Sequence, residues 1–284
     1  MKTAKTPKER LDKLLTDRGL AESRTKAQAL IMAGRVRVST LTSLKAGTLV
    51  PLDCPVFVDE TEKWVSRGAF KLLKALDIFP LSVSGKICVD IGASTGGFTD
   101  VLLSAGAKKV YAVDVGYGQL HWKLASDPRV VVMDRTNARY LTPDMFGDVL
   151  EIAVCDASFI SLRLILPAID GLLSKVSIAA AEAVVLIKPQ FEAGRERVGH
   201  GVVKDAKVHA DVLREVLSFV RDETDLETVG LSWSPIKGPE GNIEFLCHLR
   251  RRHGEVSESA MMEPDIDSIV TAAHRELQTK SYNL

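Results

Sequence analysis

The sequence lacks the features that mark membrane and secreted proteins. No apolar run in its 284 residues approaches the ~18 residues of a membrane span. Its first ten residues contain no apolar core of the kind that a signal peptide needs, which predicts a cytoplasmic protein. The four cysteines are scattered and form no C-x-x-C pair, so we expect buried free thiols and neither a disulfide framework nor a metal site.

The chain also lacks net charge, since 37 basic side chains balance 37 acidic ones, but this charge is unevenly distributed. Residues 1–50 contain eleven Lys or Arg and four Asp or Glu, a balance of +7, so the remainder carries −7. A basic N-terminal region on a mildly acidic body indicates a polyanionic partner for that region. The length allows one large domain and one small domain.

A glycine-rich turn follows a short apolar run near the middle of the chain. Residues 86–100 read KICVDIGASTGGFTD, which is typical of the strand, turn and helix that open a doubly wound α/β domain. A dinucleotide site needs glycine at the middle position of G-x-G-x-x-G, and Ser94 occupies that position here. The turn therefore favours a ligand with one nucleoside and an amino-acid tail, such as S-adenosylmethionine. A nicotinamide dehydrogenase is disfavoured.

Acidic side chains follow the predicted strands at the edge where such sheets bind ligands. Asp114 ends the second strand about twenty residues after the turn, where it would bind ribose hydroxyls, and Asp134 should flank the adenine. An acid-lined pocket also suits a positively charged cofactor. The expected cofactor-binding residues are Asp90, Gly92, Ala93, Ser94, Thr95, Gly96, Gly97, Asp114, Asp134 and Asp156.

Strand and helix patterns alternate through the rest of the chain. Further strands are predicted over 109–114, 130–133, 151–155, 183–187, 228–233 and 243–249, and helices over 161–174, 207–220 and 262–278. Another helix begins at the cap Ser66, with Phe70, Leu73 and Leu76 as its apolar stripe and Lys71 off that stripe. The pattern predicts the α/β fold class, with a Rossmann-like seven-stranded sheet. The last connection is too short for a crossover helix, so the last strand should be antiparallel.

The N-terminal residues form a separate pattern. A helix is predicted over 10–15, a second from the cap Ser23 to Gly34, and a strand over 35–38. This pattern resembles the small RNA-binding domain first described in a ribosomal small-subunit protein, although the residues 39–42 replace the family's Asn-Gly turn. The expected RNA contacts are Arg10, Arg24, Lys26, Arg35, Arg37 and, beyond the linker, Arg67.

Four side chains from distant segments meet the same predicted sheet edge. Lys71 lies in the helix after the linker, Asp156 follows the fourth strand, Lys188 follows the fifth, and Glu244 begins the last strand. They resemble the Lys-Asp-Lys-Glu tetrad of FtsJ-type RNA 2′-O-methyltransferases, and the whole chain resembles the haemolysin A (TlyA-type) branch. The resemblance implies S-adenosylmethionine as cofactor, ribosomal RNA or ribosomal subunits as partner, and cytidine riboses as targets. It also implies an RNA-binding domain over 1–59, a linker over 60–66 and a methyltransferase domain over 67–284.

Methylation of a ribose hydroxyl requires a proton acceptor, because an alcohol is a poor nucleophile. A lysine with the usual pKa of about 10.4 is mostly protonated at neutral pH. Desolvation, Lys71 and the cofactor cation favour a neutral Lys188, whereas Asp156 and Glu244 favour its ammonium form. We expect Lys188 to be the base and Asp156 to orient it, with Lys71 and Glu244 positioning the ribose. The protonation state of Lys188 is left open.

Other interpretations remain open from the sequence. The loop over 191–204 is glycine-rich and basic, and it either clamps RNA or is an ordinary surface loop. The family's other name indicates a membrane-active haemolysin, but no long apolar segment or strongly amphipathic hairpin supports that function. A catalytically silent RNA-binding assembly factor is a third alternative, against which the complete tetrad argues. The oligomeric state is not indicated.

Overall fold

The chain divides into two compact units, Met1–Lys63 and Trp64–Leu284. The structure is a computed structural model that describes residues 7–32, 34–38, 44–58, 64–176, 181–199, 201–238, 240–252 and 264–279. The predicted domain bounds stay a prediction, since residue 59 and residues 60–63 of the linker lie outside the described part. The unusual turn at 39–42 also lies outside it.

The N-terminal unit combines two helices with two small antiparallel sheets. Its elements are β1 (Lys8–Arg10), α1 (Leu11–Asp17), α2 (Arg24–Met32), β2 (Val36–Val38), β3 (Leu49–Pro51) and β4 (Val56–Val58). Strand β1 pairs with β3, and β2 pairs with β4. The start predicted for the first helix is wrong, because Arg10 ends β1 opposite Leu49 and the helix begins at Leu11. The second helix is confirmed, and the Ser23 hydroxyl accepts a hydrogen bond from the Lys26 N–H.

The C-terminal unit alternates strands and helices, as predicted. Its elements are α3 (Ala69–Ile78), β5 (Ile87–Ile91), α4 (Gly97–Ser104), β6 (Lys109–Val113), α5 (Trp122–Ala125), β7 (Val130–Met133), β8 (Ile152–Cys155), α6 (Leu166–Leu173), β9 (Glu182–Ile187), α7 (Pro189–Glu192), α8 (Ala206–Glu223), β10 (Leu226–Trp233), β11 (Phe245–Arg251) and α9 (Ile266–Thr279). The loop predicted over 191–204 begins inside α7 and contains a 3-10 turn, Arg195–Arg197. His200 lies outside the described residues.

Within the described residues, the strands of this unit form one seven-stranded sheet in the order β10-β11-β9-β8-β5-β6-β7. Strand β11 is antiparallel to both of its neighbours, while β5 to β9 pair in parallel. This confirms the predicted fold class and the antiparallel last strand. Phe245 lies opposite Ile187, so the residue before β11 and the residue after β9 reach the same edge. Those residues are Glu244 and Lys188.

The buried face of α3 differs from the prediction. Phe70 is 47% exposed, and Leu73 and Leu76 are only partly buried. The helix instead buries Ala69, Lys71, Leu72 and Ala75, and its N-terminus carries no side-chain cap. Two alanines let α3 approach α4 and the sheet more closely than three large side chains would. Lys71, which lies off the predicted apolar stripe, is therefore on the buried face of the helix, and the whole residue is 6% exposed.

Apolar side chains cover both faces of the sheet. Helix α9 lies within the region predicted to be helical over 262–278 apart from its last residue; it packs against α8 and β10 and buries Val270, Ala273 and Leu277. All four cysteines lie in the described part of the chain, and each is buried with a free thiol, as predicted.

Candidate active site

The glycine-rich turn between β5 and α4 lies against two other segments of the site. Gly92 and Gly96 have φ values of +81° and +98°, which L side chains rarely adopt. A Cβ atom on Gly92 would come within 2.9 Å of the Ala157 Cα, and one on Gly97 would overlap the Ser66 Oγ. These glycines therefore bring the turn close to the segments that lead from β8 and into α3.

Asp114, the first residue after β6, holds the turn to the next loop. Its two carboxylate oxygens accept hydrogen bonds at 2.7 Å from the N–H groups of Ser94 and Gly116. Ser94 has a φ of +48°, which is uncommon for a residue other than glycine, and this bond helps to hold it. In the loop after β7, Asp134 accepts a bond from the Gly118 N–H at 2.9 Å. Both acids are thus part of the turn's scaffold, and their contact with a nucleoside stays a prediction.

Asp90 places a fully buried carboxyl group beneath the turn. Its Oδ2 accepts a hydrogen bond from the Thr99 hydroxyl at 2.7 Å, and its Oδ1 has no hydrogen-bond partner within the described residues. Burial raises the pKa of Asp90 to about 7, and the bond from Thr99 only partly offsets that effect. An orphaned carboxylate oxygen below left-handed glycines fits a cofactor that carries positive charge. The residues present are therefore compatible with S-adenosylmethionine.

Lys71, Asp156, Lys188 and Glu244 form one cluster, which we call the tetrad. The Lys71 Nζ lies 3.0 Å from an Asp156 oxygen and 2.7 Å from a Glu244 oxygen, and the Lys188 Nζ lies 2.7 Å from the other Asp156 oxygen. The exposed fractions of these side chains are 8%, 17%, 6% and 1% in chain order. Two positive and two negative groups compensate one another, which burial of this many charges requires.

The sheet order explains why these residues meet. Strands β11, β9 and β8 are neighbours, so Glu244, Lys188 and Asp156 lie side by side at one edge. Lys71 reaches the same edge from α3, because its helix buries the face that carries it. Three of the four positions follow directly from strand direction, whereas the position of Lys71 depends on how the helix packs.

The amine of Lys188 has three acceptors. They are the Asp156 Oδ1 at 2.7 Å, the Asp156 carbonyl oxygen at 3.1 Å and the Ser158 Oγ at 2.8 Å. Three acceptors match the three N–H groups of an ammonium. Ser158 is exposed, so its bond to Lys188 faces the solvent side of the cluster. Sequence reasoning assigned no role to Ser158, although its place two residues after Asp156 was a usable signal.

The two lysines differ in their partners. Burial acts to lower the pKa of Lys71, but the carboxylates of Asp156 and Glu244 outweigh burial and hold this pKa above its usual value. Lys71 therefore remains an ammonium, which can donate hydrogen bonds but cannot accept a proton. Glu244 was expected to hold the Lys188 ammonium; instead, it pairs with Lys71.

In the N-terminal unit, two of the arginines predicted to contact RNA bind a buried acid. Arg10 and Arg24 lie 2.9 Å and 3.2 Å from an oxygen of Asp12, which also accepts a bond from Gln28. The bonds from Arg10 above all hold the pKa of Asp12 well below its usual range, despite its burial. Both arginines remain about half exposed, at 46% and 53%. Of the other candidates, Lys26 and Arg37 are exposed and Arg35 is half-buried, while Arg67 of the C-terminal unit is exposed.

The seven-stranded sheet with its antiparallel last strand, the glycine-rich turn and the tetrad define a methyltransferase. Residues 64–251 match the FtsJ-like methyltransferase family, and residues 9–39 match the S4 domain. The chain belongs to the FtsJ-like methyltransferase family, which uses S-adenosylmethionine as methyl donor.

Relatives match nearly the whole chain. The chain is 51% identical to YqxC of Bacillus subtilis over 96% of both chains. It is 49% identical to TlyA of Mycobacterium tuberculosis, named as a 16S/23S rRNA (cytidine-2′-O)-methyltransferase, over 85% of this chain and 89% of that protein. A solved structure from Streptococcus thermophilus that carries the hemolysin name has 44% identity and a TM-score of 0.71, covering 96% of this chain and 98% of that one. Among the described residues, no helix has both the length and the apolar character needed to cross a membrane.

Proposed function

We propose that the protein transfers a methyl group from S-adenosylmethionine to the 2′-hydroxyl of a cytidine ribose in ribosomal RNA. The observation that carries this proposal is the buried tetrad, in which two lysines share the carboxylate of Asp156. The relative named for cytidine 2′-O-methylation of ribosomal RNA supports the substrate. The S4 domain supports a separate RNA-binding function for the N-terminal unit.

The tetrad residues have separable tasks in this reaction. S-adenosylmethionine supplies a methyl group on a positively charged sulfur that leaves as a neutral thioether. Lys188, as the neutral amine, would accept the proton of the ribose hydroxyl and so make the ribose oxygen a nucleophile. Asp156 orients this amine, while the Lys71 ammonium and the Glu244 carboxylate hold the ribose. Much of the rate enhancement would then come from alignment of oxygen, carbon and sulfur.

The hydrogen bonds of Lys188 indicate how a substrate approaches. With three acceptors around its amine, Lys188 can direct its lone pair at a ribose hydroxyl only where one of these acceptors gives way. The Asp156 carbonyl and carboxylate belong to the buried cluster, whereas Ser158 is exposed. The ribose hydroxyl would therefore replace the Ser158 hydroxyl as the partner of Lys188.

The carboxyl edge of the sheet also offers the groups that would hold the cofactor. Asp90 would compensate its positive charge, Asp114 would bind its ribose hydroxyls and Asp134 would flank its adenine. The turn would supply backbone N–H groups. The proposed set is Asp90, Gly92, Ala93, Ser94, Thr95, Gly96, Gly97, Asp114, Asp134 and Asp156.

Basic side chains of the N-terminal unit would bind RNA phosphates. Arg10 and Arg24 are held by Asp12, so their guanidinium groups are oriented before RNA arrives. Binding through several phosphate contacts should weaken steeply with salt. The proposed contacts are Arg10, Arg24, Lys26, Arg35 and Arg37, with Arg67 of the C-terminal unit. A protein with this substrate would act in the cytoplasm.

Nucleoside analysis after methylation tests the proposal. The purified protein is incubated with ribosomal subunits from cells that lack its gene and with S-adenosylmethionine carrying an isotopic methyl group. Mass spectrometry of the digested RNA should then find labelled 2′-O-methylcytidine, and Lys188→Ala should abolish it. A base-methylated nucleoside, or no transfer to RNA, would contradict the proposal. Leakage of liposomes that survives in Lys188→Ala would instead favour a membrane-active haemolysin.

A further inference from the structure

A second buried carboxylate lies just beyond the tetrad. Glu192, the last residue of α7, is 4% exposed, and the proposed reaction does not use it. Its Oε2 accepts a hydrogen bond from the Ser161 hydroxyl at 2.6 Å, and its Oε1 accepts one from the Leu162 N–H at 2.7 Å. The Arg163 Nε lies 3.6 Å from the Oε2 and balances part of its charge. Burial of a carboxylate is costly, so these bonds must stabilise the segments they join.

Glu192 joins the segment of the proposed base to the segment of its orienting acid. Lys188 immediately precedes α7, and Glu192 is its last residue. Asp156 and Ser161 lie on either side of the loop over 157–160, which follows β8. Lys188 binds the first part of this loop through Asp156 and Ser158. Glu192 binds its far end through Ser161. The loop over 157–160 is thus attached at both ends to the chain that follows β9.

The attached loop has an unfavourable backbone. Phe159 has a φ of +64° and is 91% exposed, so burial of its side chain does not compensate for the left-handed conformation. Its ring contacts that of Phe191, with centroids 5.3 Å apart. Without the attachment at Ser161 the loop would relax to a commoner conformation. Such relaxation would move the oxygens of Asp156 and Ser158 away from Lys188.

We infer that Glu192 is a positioning residue of the methyl-transfer site, which holds the loop after β8 so that Asp156 and Ser158 keep the Lys188 amine aimed at the substrate. This inference rests on the proposed function, in which Lys188 is the base. Glu192 acts through Lys188 and Asp156, so its removal should slow methyl transfer without weakening the binding of the cofactor.

The other end of β9 offers a matched control. Glu182, the first residue of this strand, is also buried, and its carboxylate lies 2.6 Å from the His248 Nε2. Lys188 lies six residues further along the chain, a distance of about 20 Å in an extended strand. Its replacement removes a buried carboxylate from the same strand but leaves the tetrad and its loop in place.

The kinetic test compares these two acids at a temperature where every variant is folded. Glu192→Ala should lower kcat by about 100-fold, the effect of a displacement near 1 Å, while the Kd of S-adenosylmethionine and the KM of RNA change less than about twofold. Glu192→Gln keeps an oxygen for the Leu162 N–H and an amide for Ser161, so its kcat should stay within about threefold of the parent. Glu182→Ala should lower the Tm without lowering kcat.

A second measurement needs neither cofactor nor RNA. Lys188 is buried, so brief treatment with acetic anhydride should acylate it slowly, as quantified by mass spectrometry of peptides. In Glu192→Ala, Lys188 should be acylated several times faster than in the parent, whereas in Glu182→Ala its acylation rate should not change. Ser161→Ala removes one of the two bonds and should give a smaller increase. It also provides the test if Glu192→Ala does not fold.

Several outcomes would overturn the inference. A kcat of Glu192→Ala within about twofold of the parent would do so, and so would a loss of kcat that only tracks the fraction of folded protein. An unchanged acylation rate of Lys188 would exclude the anchoring role. If the parent protein methylates no RNA, the proposed function fails, and the acylation rates still decide whether Glu192 holds the loop.

Discussion

Both ends of strand β9 carry buried charge, but the two ends compensate it in different ways. At the amino end, Glu182 pairs with His248, whose ring also contacts Phe79 with centroids 5.3 Å apart. At the carboxyl end, Lys188 belongs to a cluster whose members come from one helix and three strand ends. The first arrangement joins two paired strands, and the second converges on the edge where parallel sheets bind ligands. Buried charge alone therefore does not identify an active site; convergence of several elements at that edge does.

The largest effect is expected at the carboxyl end. Lys188→Ala removes the proposed base, so methyl transfer to RNA should fall by about 1,000-fold or more, within the range of general-base catalysis. The Kd of S-adenosylmethionine should change by less than about twofold, because the amine contacts substrate and not cofactor. Transfer of labelled methyl and calorimetric titration measure the two quantities. An equal loss of both would mean that Lys188 binds the cofactor.

At Asp114, next to the glycine-rich turn, we expect the opposite result: cofactor binding is weakened more than methyl transfer. Asp114→Ala removes both the expected ribose contact and the acceptor of the Ser94 N–H, so it should weaken cofactor binding by about 10-fold or more. At saturating cofactor, methyl transfer should largely recover. Asp127→Ala, which removes the carboxylate paired with Arg129 on the loop before β7, is the control and should leave the Kd unchanged. A loss of rate that saturating cofactor does not restore would assign Asp114 to the chemical step.

The raised pKa of Asp90 predicts a smaller effect, a dependence of cofactor affinity on pH. Because its pKa is raised to about 7, its ionised fraction grows as the pH rises from 6 to 8. The positively charged cofactor favours the ionised form, so its affinity should increase over this range by up to about 10-fold. Calorimetric titration of the parent and of Asp90→Asn with S-adenosylmethionine at each pH separates the contribution of Asp90 from that of ionisation of the cofactor itself. Parallel pH profiles for the two proteins would exclude Asp90 as the cause.

The smallest effect on catalysis is expected at the amino end. Burial acts to raise the pKa of Glu182, but His248 outweighs burial and holds this pKa below its usual value of 4.5. The Glu182–His248 pair therefore stabilises the folded state above pH 4.5, and this stabilisation is lost as the pH falls through the folded-state pKa of Glu182.

Glu182→Gln keeps a hydrogen bond to His248 and removes the charge, so it should lower the free energy of unfolding by about 1–2 kcal/mol at pH 7. Urea unfolding at pH 7 and pH 4 measures this loss, which should shrink at the lower pH. Unchanged methyl transfer would support the contrast between the two ends. A loss of the methyl-transfer rate as large as that in Glu192→Ala would contradict this contrast.

Periodicity predicted the large sheet well and the small unit less well. The bounds of β7 match the prediction, and those of β8 and β9 differ from it by one residue, because these are continuous apolar runs with polar ends. Strands β1, β3 and β4 have three residues each and were not predicted. Their residues, KER, LVP and VFV, do not alternate between apolar and polar types as the residues of β2 do, so pairing with a distant partner decides their conformation.

The failure at α3 had a different cause. Its largest apolar residues suggested one buried face, but the helix turns Ala69, Leu72 and Ala75 inward. Packing space next to α4 decided this choice, and neither propensity nor periodicity reports that space. The same rotation buries Lys71, so the membership of Lys71 in the tetrad followed from the family resemblance and not from the helix pattern.

The sequence by itself determined which residues end the strands, because the alternation of apolar runs and polar ends defines the strands and their direction. It therefore placed Asp156, Lys188 and Glu244 at one edge. Only the tertiary structure decided that Asp156 is shared by two lysines, that Glu244 pairs with Lys71 and that Glu192 anchors the loop after β8. Those pairings depend on strand order and helix packing, which bring together side chains that no local pattern connects.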